Sequence, residues 1–125
     1  MYHWDLPQAL VDHLEPPGWL NPNIVSHFSD YANLLWSELG LDADMWATFN
    51  EPLTFIQGGY SNGKAAPGIS TKAPPSGVHV PANEITYTAA HNVLRSHAYA
   101  VQLFRQMQDQ GKVSKQAKIS MVLCT

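Results

Sequence analysis

The order of elements in this 125-residue sequence predicts an α/β fold, a parallel sheet or β/α barrel whose strands are joined by helices. Three observations carry that prediction: two stretches with apolar residues at helical spacing, two short runs of strand formers, and their alternation along the chain. In order, Tyr2 to Asp5 reads as the tail of a first strand. From Ile24, the residues Ile24, Phe28, Tyr31 and Leu35 share one helical face, preceded by Asn21-Pro22-Asn23 and stopped by Gly40. Met45 to Phe49 reads as a buried strand, bounded by Asp42 and Asp44 before it and Pro52 after it. From Leu53 to Asn83 the text is rich in Gly and Pro and reads as a loop too long for a mere connector. A second helix is expected from about Glu84 to Gln110, with Ile85, Ala89, Val93, His97, Val101 and Phe104 on one side and Gly111 as its stop. KISMVLC, Lys118 to Cys124, closes the series as a strand expected to be covered on both faces.

Composition narrows the class of protein. With 45% hydrophobic and 14% charged residues the chain can bury one modest core and is not a disordered tail. A formal charge of -3 without any basic run argues against a nucleic acid or an anionic membrane as partner. No apolar stretch approaches the roughly 20 residues of a membrane-spanning helix, and no signal region opens the text, so compartment is left open. Cys124 is the single cysteine, which excludes an internal disulfide.

In parallel α/β architectures the carboxyl ends of the strands carry the chemistry. TFNEP, Thr48 to Pro52, stands at such an end: an apolar run turns abruptly to an amide, a carboxylate and a proline. MYHWDLPQ, Met1 to Gln8, stands at another. On spacing alone Glu51 is a solvated loop residue, His3 a hydrogen-bonded structural histidine and Trp4 a core residue. His91 and His97, six apart on a helix, do not share a face, so both are read as structural and no metal is expected. Asp42 and Asp44 read as surface charges, and Phe28, Tyr31, Trp36 and Phe104 as packing the helices onto the sheet.

HWDLPQ (His3 to Gln8) and WATFNEP (Trp46 to Pro52) resemble the paired signatures of the family 1 glycoside hydrolases, the β-glucosidase family. GWLNPNIVSHFSDYA (Gly18 to Ala32) is similar to that family's third barrel helix and its lead-in, GGYSNGKAAPG (Gly58 to Gly68) to its active-site loop, and AAHNVLRSHAYAV (Ala89 to Val101) to the helix that follows. The motifs keep the family order over nearly the whole chain, a far more specific signal than a lone N-E-P. The resemblance implies a partial (β/α)8 barrel of two to three βα units, from about the third strand to the fifth. Residues 1 to 125 then form a fragment of one barrel domain.

It also implies roles. Retaining glycosidases use two carboxyl groups about 5 Å apart, one protonating the leaving oxygen and one attacking the sugar carbon. Glu51 is similar to the first, the acid/base. Such an acid must hold its proton near neutral pH, which takes a neighbouring negative charge or a dry pocket. Asn50 would bond the sugar 2-hydroxyl, and His3 and Trp4 would hold other hydroxyls of the glycone, while Pro52 helps end the strand. The expected partner is a small β-glycoside or oligosaccharide, with no cofactor. No acidic residue here sits in a segment like the family's E-N-G, so the nucleophile is expected outside this chain, as are a glutamine, a glutamate and a tryptophan that bind the glycone in the family. Two other readings stand beside this one: a non-catalytic sugar-binding or receptor-like barrel, which the presence of Glu51 disfavours, and an inactive truncated product.

Overall fold

The computed structural model describes residues 1–124 and carries the alternation out as α1 (Gln8–Asp12), α2 (Ile24–Leu39), β1 (Met45–Asn50), α3 (Pro52–Tyr60), α4 (Ile85–Asp109) and β2 (Lys118–Val122), with a 3-10 turn at Gly18–Leu20. Thr125 lies outside the described residues. The two strands pair in parallel, Met45 opposite Lys118 and Trp46 opposite Ile119. On the other edge of β1, the Tyr2 N–H donates to the Thr48 carbonyl (2.9 Å) and the Asn50 N–H to the Tyr2 carbonyl (3.0 Å). The expected first strand is therefore a single parallel bridge at Tyr2, and β1 is the central element of the sheet.

Helices cover one face. In α2 the buried positions Ile24, Val25, Phe28, Ala32 and Trp36 recur at three- and four-residue spacing and form one stripe. Gly40 ends that helix where a Cβ would run into the Lys112 carbonyl. In α4, Ile85, Ala89, Val93, Ser96, Ala100, Phe104 and Met107 make the facing stripe, and the small residues at 89, 96 and 100 allow close approach. Asn92, buried in this stripe, donates from Nδ2 to the Trp19 carbonyl at 2.9 Å, so its amide is not left unpaired in the core.

The core has two aromatic clusters. Trp36, Trp46 and Phe104 meet edge to face, with centroids 6.1 and 5.2 Å apart, and join α2, β1 and α4. Tyr2, Trp19, Phe28, Phe49 and Phe55 form the other: Phe28 stacks on Phe49 at 4.5 Å, and Trp19 meets Phe49 edge-on at 5.4 Å. Such pairs are each worth about 0.5–1.5 kcal/mol beyond the area they bury. Tyr2 precedes His3, Phe49 precedes Asn50, and Phe55 follows Glu51 by four residues, so the second cluster packs beneath the residues that TFNEP and HWDLPQ present.

Three expectations need correction. The loop from Leu53 to Asn83 begins with a helix, α3, because Pro52 opens it with a preset φ and Phe55, Ile56 and Tyr60 bury themselves. Its two glycines obscured it in the sequence, yet Gly59 is required, since a Cβ there would strike the Ala66 carbonyl. β2 is not covered on both faces: Lys118, Ser120 and Val122 are exposed, while Ile119 and Met121 turn toward the helices. Tyr31 lies half exposed at the rim, its ring against Phe28 (6.2 Å) and its hydroxyl donating to the Met1 carbonyl (3.4 Å), rather than packing onto the sheet.

Candidate active site

The four residues singled out in the sequence meet at the carboxyl end of β1. Trp4 donates its indole N–H to the Asn50 carbonyl at 2.9 Å, and the Asn50 amide nitrogen lies 3.4 Å from His3 Nε2. With the amide donating, His3 Nε2 accepts and its proton sits on Nδ1. The His3 and Trp4 rings are 5.4 Å apart. Since the indole has one donor and Asn50 takes it, Trp4 offers a ligand its ring face rather than a hydrogen bond.

Two backbone outliers mark the same place. Trp4 has φ 71° and Glu51 φ 44°, the only residues other than glycine with positive φ among those described. The left-handed region costs an L-residue roughly 1–2 kcal/mol, so the surrounding structure must impose it. For Glu51 it does so from both sides. The Glu51 N–H donates to the Val122 carbonyl of β2 at 2.8 Å, and the next residue, Pro52, already belongs to α3. The carboxylate is held in turn by Thr54, whose hydroxyl donates to Glu51 Oε2 at 3.2 Å; Oε1 has no hydrogen-bond partner among the described residues. Sequence reasoning missed Thr54. Its position three residues after Glu51 was a usable signal only once α3 is known to be a helix.

Asp5 belongs to the turn below: its Oδ1 accepts the His3 backbone N–H at 3.1 Å. His97, read as structural, sits behind β1 with its Nδ1 2.8 Å from the Thr48 hydroxyl, and burial lowers its pKa. Asp42 and Asp44 are exposed at the opposite end of β1. Among the described residues no three His, Cys, Asp or Glu side chains converge as metal ligands would, and no helix is long and apolar enough to cross a membrane. What remains is a carboxyl with one oxygen unpartnered among the described residues, beside an amide, an imidazole and an indole face. That set can exchange a proton and bind a polyhydroxylated ligand.

The chain is similar to known proteins over nearly its whole length. The model of Glycosyl hydrolase family 1 matches residues 1–124. Beta-glucosidase 21 of Arabidopsis thaliana is 40% identical over 115 residues, 90% of this chain and 22% of that protein. Lactase/phlorizin hydrolase of Rattus norvegicus is 39% identical over 107 residues, 86% of this chain and 5% of that protein. Among solved structures, a rice β-glucosidase mutant in a covalent complex with Glc superposes with a TM-score of 0.83 at 32% identity, covering 98% of this chain and 25% of that one. The family 1 β-glucosidase from Thermotoga maritima gives 0.76 at 34% identity, with 98% and 23% covered. The chain thus spans about a quarter of these solved β-glucosidases, which are (β/α)8 barrels, and its strands and crossover helices are one part of that barrel. With the family model matched from residue 1 to residue 124, the chain belongs to glycosyl hydrolase family 1.

Proposed function

We propose that the protein carrying this chain hydrolyses β-glycosides with retention of configuration, with Glu51 as acid/base. The observation that supports it most is the carboxyl of Glu51, with Oε2 held by Thr54 and Oε1 unpartnered among the described residues, beside Asn50, His3 and Trp4. The rice relative in covalent complex with Glc supports a glycosyl-enzyme intermediate.

In the first step Glu51 gives its proton to the glycosidic oxygen as the carbon–oxygen bond breaks, and a second carboxylate bonds to the anomeric carbon. That nucleophile is not assigned among the acidic residues of this chain. In the second step the Glu51 carboxylate takes a proton from water, whose oxygen bonds to the anomeric carbon and releases the second carboxylate. Asn50 presents its amide to the sugar 2-hydroxyl, His3 contributes a ring nitrogen to a neighbouring hydroxyl, and the exposed face of Trp4 supports the sugar ring. The substrate is a small β-glycoside or oligosaccharide, and none of these steps calls on a cofactor.

Leaving-group dependence tests the role in the full-length protein. Glu51→Ala should lower kcat/KM for an alkyl β-glucoside by about 10²- to 10⁴-fold, the usual worth of a general acid. An aryl glucoside with a strongly acidic phenol should lose far less in its first step, because such a phenolate departs with little protonation. Equal losses for both substrates would contradict the assignment.

A further inference from the structure

The sheet register changes next to the candidate site. From Met45 to Ala47, β1 pairs residue for residue with Lys118 to Ser120, but Asn50 then stands opposite Val122. Three steps on β1 match two on β2, so β1 carries one extra residue, a bulge. Burial shows the consequence: Thr48 and Phe49, consecutive residues, are both fully buried, whereas a regular strand would place them on opposite faces. Thr48 reaches His97 on α4, and Phe49 stacks on Phe28 of α2. Both therefore face the helices, and Asn50 falls on the open face with His3. Without the extra residue the alternation would turn Asn50 toward the helices.

One side chain bridges this irregularity. The Thr48 hydroxyl lies 3.2 Å from the Ser120 carbonyl of β2 and 2.8 Å from His97 Nδ1. A hydroxyl has a single proton. If it is donated to the Ser120 carbonyl, which can only accept, then the hydroxyl oxygen accepts from His97, and the proton of that ring sits on Nδ1.

We propose that Thr48 and His97 are positioning residues for the reaction: together they hold the β1 bulge that aims Asn50 and Glu51 at the substrate. The inference rests on the acid/base role proposed for Glu51 and adds what sets its aim. His97 anchors the hydroxyl from the helix layer, the hydroxyl ties the bulged residue to β2, and the Glu51 N–H on the Val122 carbonyl completes the second tie two residues further along that strand. Neither positioning residue touches the sugar.

Kinetics of the full-length protein with the two substrates named above provide the test. Thr48→Val keeps the volume and removes the hydroxyl; Thr48→Ser keeps the hydroxyl. A misplaced acid costs on the order of 10²-fold, so Thr48→Val should lose about that factor in kcat with the alkyl glucoside and much less with the activated aryl glucoside. Thr48→Ser should stay near the parent on both. His97→Leu should repeat the loss, and His97→Asn, whose amide nitrogen can stand near the Nδ1 position, should recover much of it, which decides the matter if Thr48→Val fails to fold. An unchanged ratio of alkyl to aryl rates in Thr48→Val and His97→Leu would overturn the proposal. Failure of the underlying acid/base role looks different, because the ratio would then be unchanged in Glu51→Ala itself.

Discussion

The two strands of this sheet lie side by side and run the same way, yet only one departs from regularity. β2 alternates from Lys118 to Val122 with period two, half-buried residues between exposed ones. β1 breaks its period at Thr48–Phe49, buries both, and runs into a residue with positive φ. The difference shows where the fold tolerates local cost. β2 acts as a straightedge whose carbonyls at Ser120 and Val122 receive Thr48 and Glu51, while the strained residues are Glu51, just past the end of β1, and Trp4 beside it. Irregular backbone gathers where side chains must be aimed.

The largest effect that sharpens this contrast is in packing. Phe49→Ala removes the ring on which Phe28, Trp19 and Tyr2 converge and should destabilise the protein by about 3–5 kcal/mol, measured by chemical denaturation. Ser120→Ala, on the open face of β2, should stay within about 0.5 kcal/mol. Comparable losses at both positions would mean that β1 has no privileged place in the core.

A smaller effect comes from the backbone at Glu51. Glu51→Gly and Glu51→Ala both remove the carboxyl, but only glycine relieves the left-handed conformation at φ 44°. The glycine variant should be the more stable of the two by about 1 kcal/mol in the same measurement. Equal stabilities would show that the conformation is not strained.

The smallest effect is a pH dependence. Burial lowers the pKa of His97 below its usual 6.5, so the folded state favours the neutral ring. The unfolded chain then binds the proton more readily. The stability contributed by the neutral ring is fully present above pH 6.5 and is lost as pH falls through the folded value. His97→Asn should lack this component, so the stability gap between variant and parent should shift between pH 7.5 and pH 5, read from denaturation midpoints. A gap independent of pH would contradict it.

Much of this was legible in the sequence, for reasons particular to each element. The stripes of α2 and α4 repeat often enough to stand out against their polar faces, and β1 and β2 are short apolar runs with clear stops. HWDLPQ and TFNEP pointed to four residues that the fold does bring together, since Trp4 and His3 both reach Asn50. What escaped depended on tertiary contacts. α3 carries Gly58 and Gly59, which weaken any local helix signal, and it stands because Phe55, Ile56 and Tyr60 find the core. The covering of β2 was over-read because an apolar run suggests burial on both faces, whereas only Ile119 and Met121 pack on the core. The bulge has no signature in TFN, being defined by register against a strand some 70 residues away and by a histidine on another helix.

If Glu51 moves protons in both steps, azide will reveal it. In Glu51→Ala of the full-length protein, with an activated aryl glucoside, the second step should limit because water has lost its general base. Azide needs no base to attack the glycosyl-enzyme, so adding it should raise turnover and give the β-glycosyl azide, the product of two inversions at the same carbon. Turnover unaffected by azide, with no glycosyl azide formed, would make Glu51 a binding or structural residue and leave the strained end of β1 without the role assigned to it.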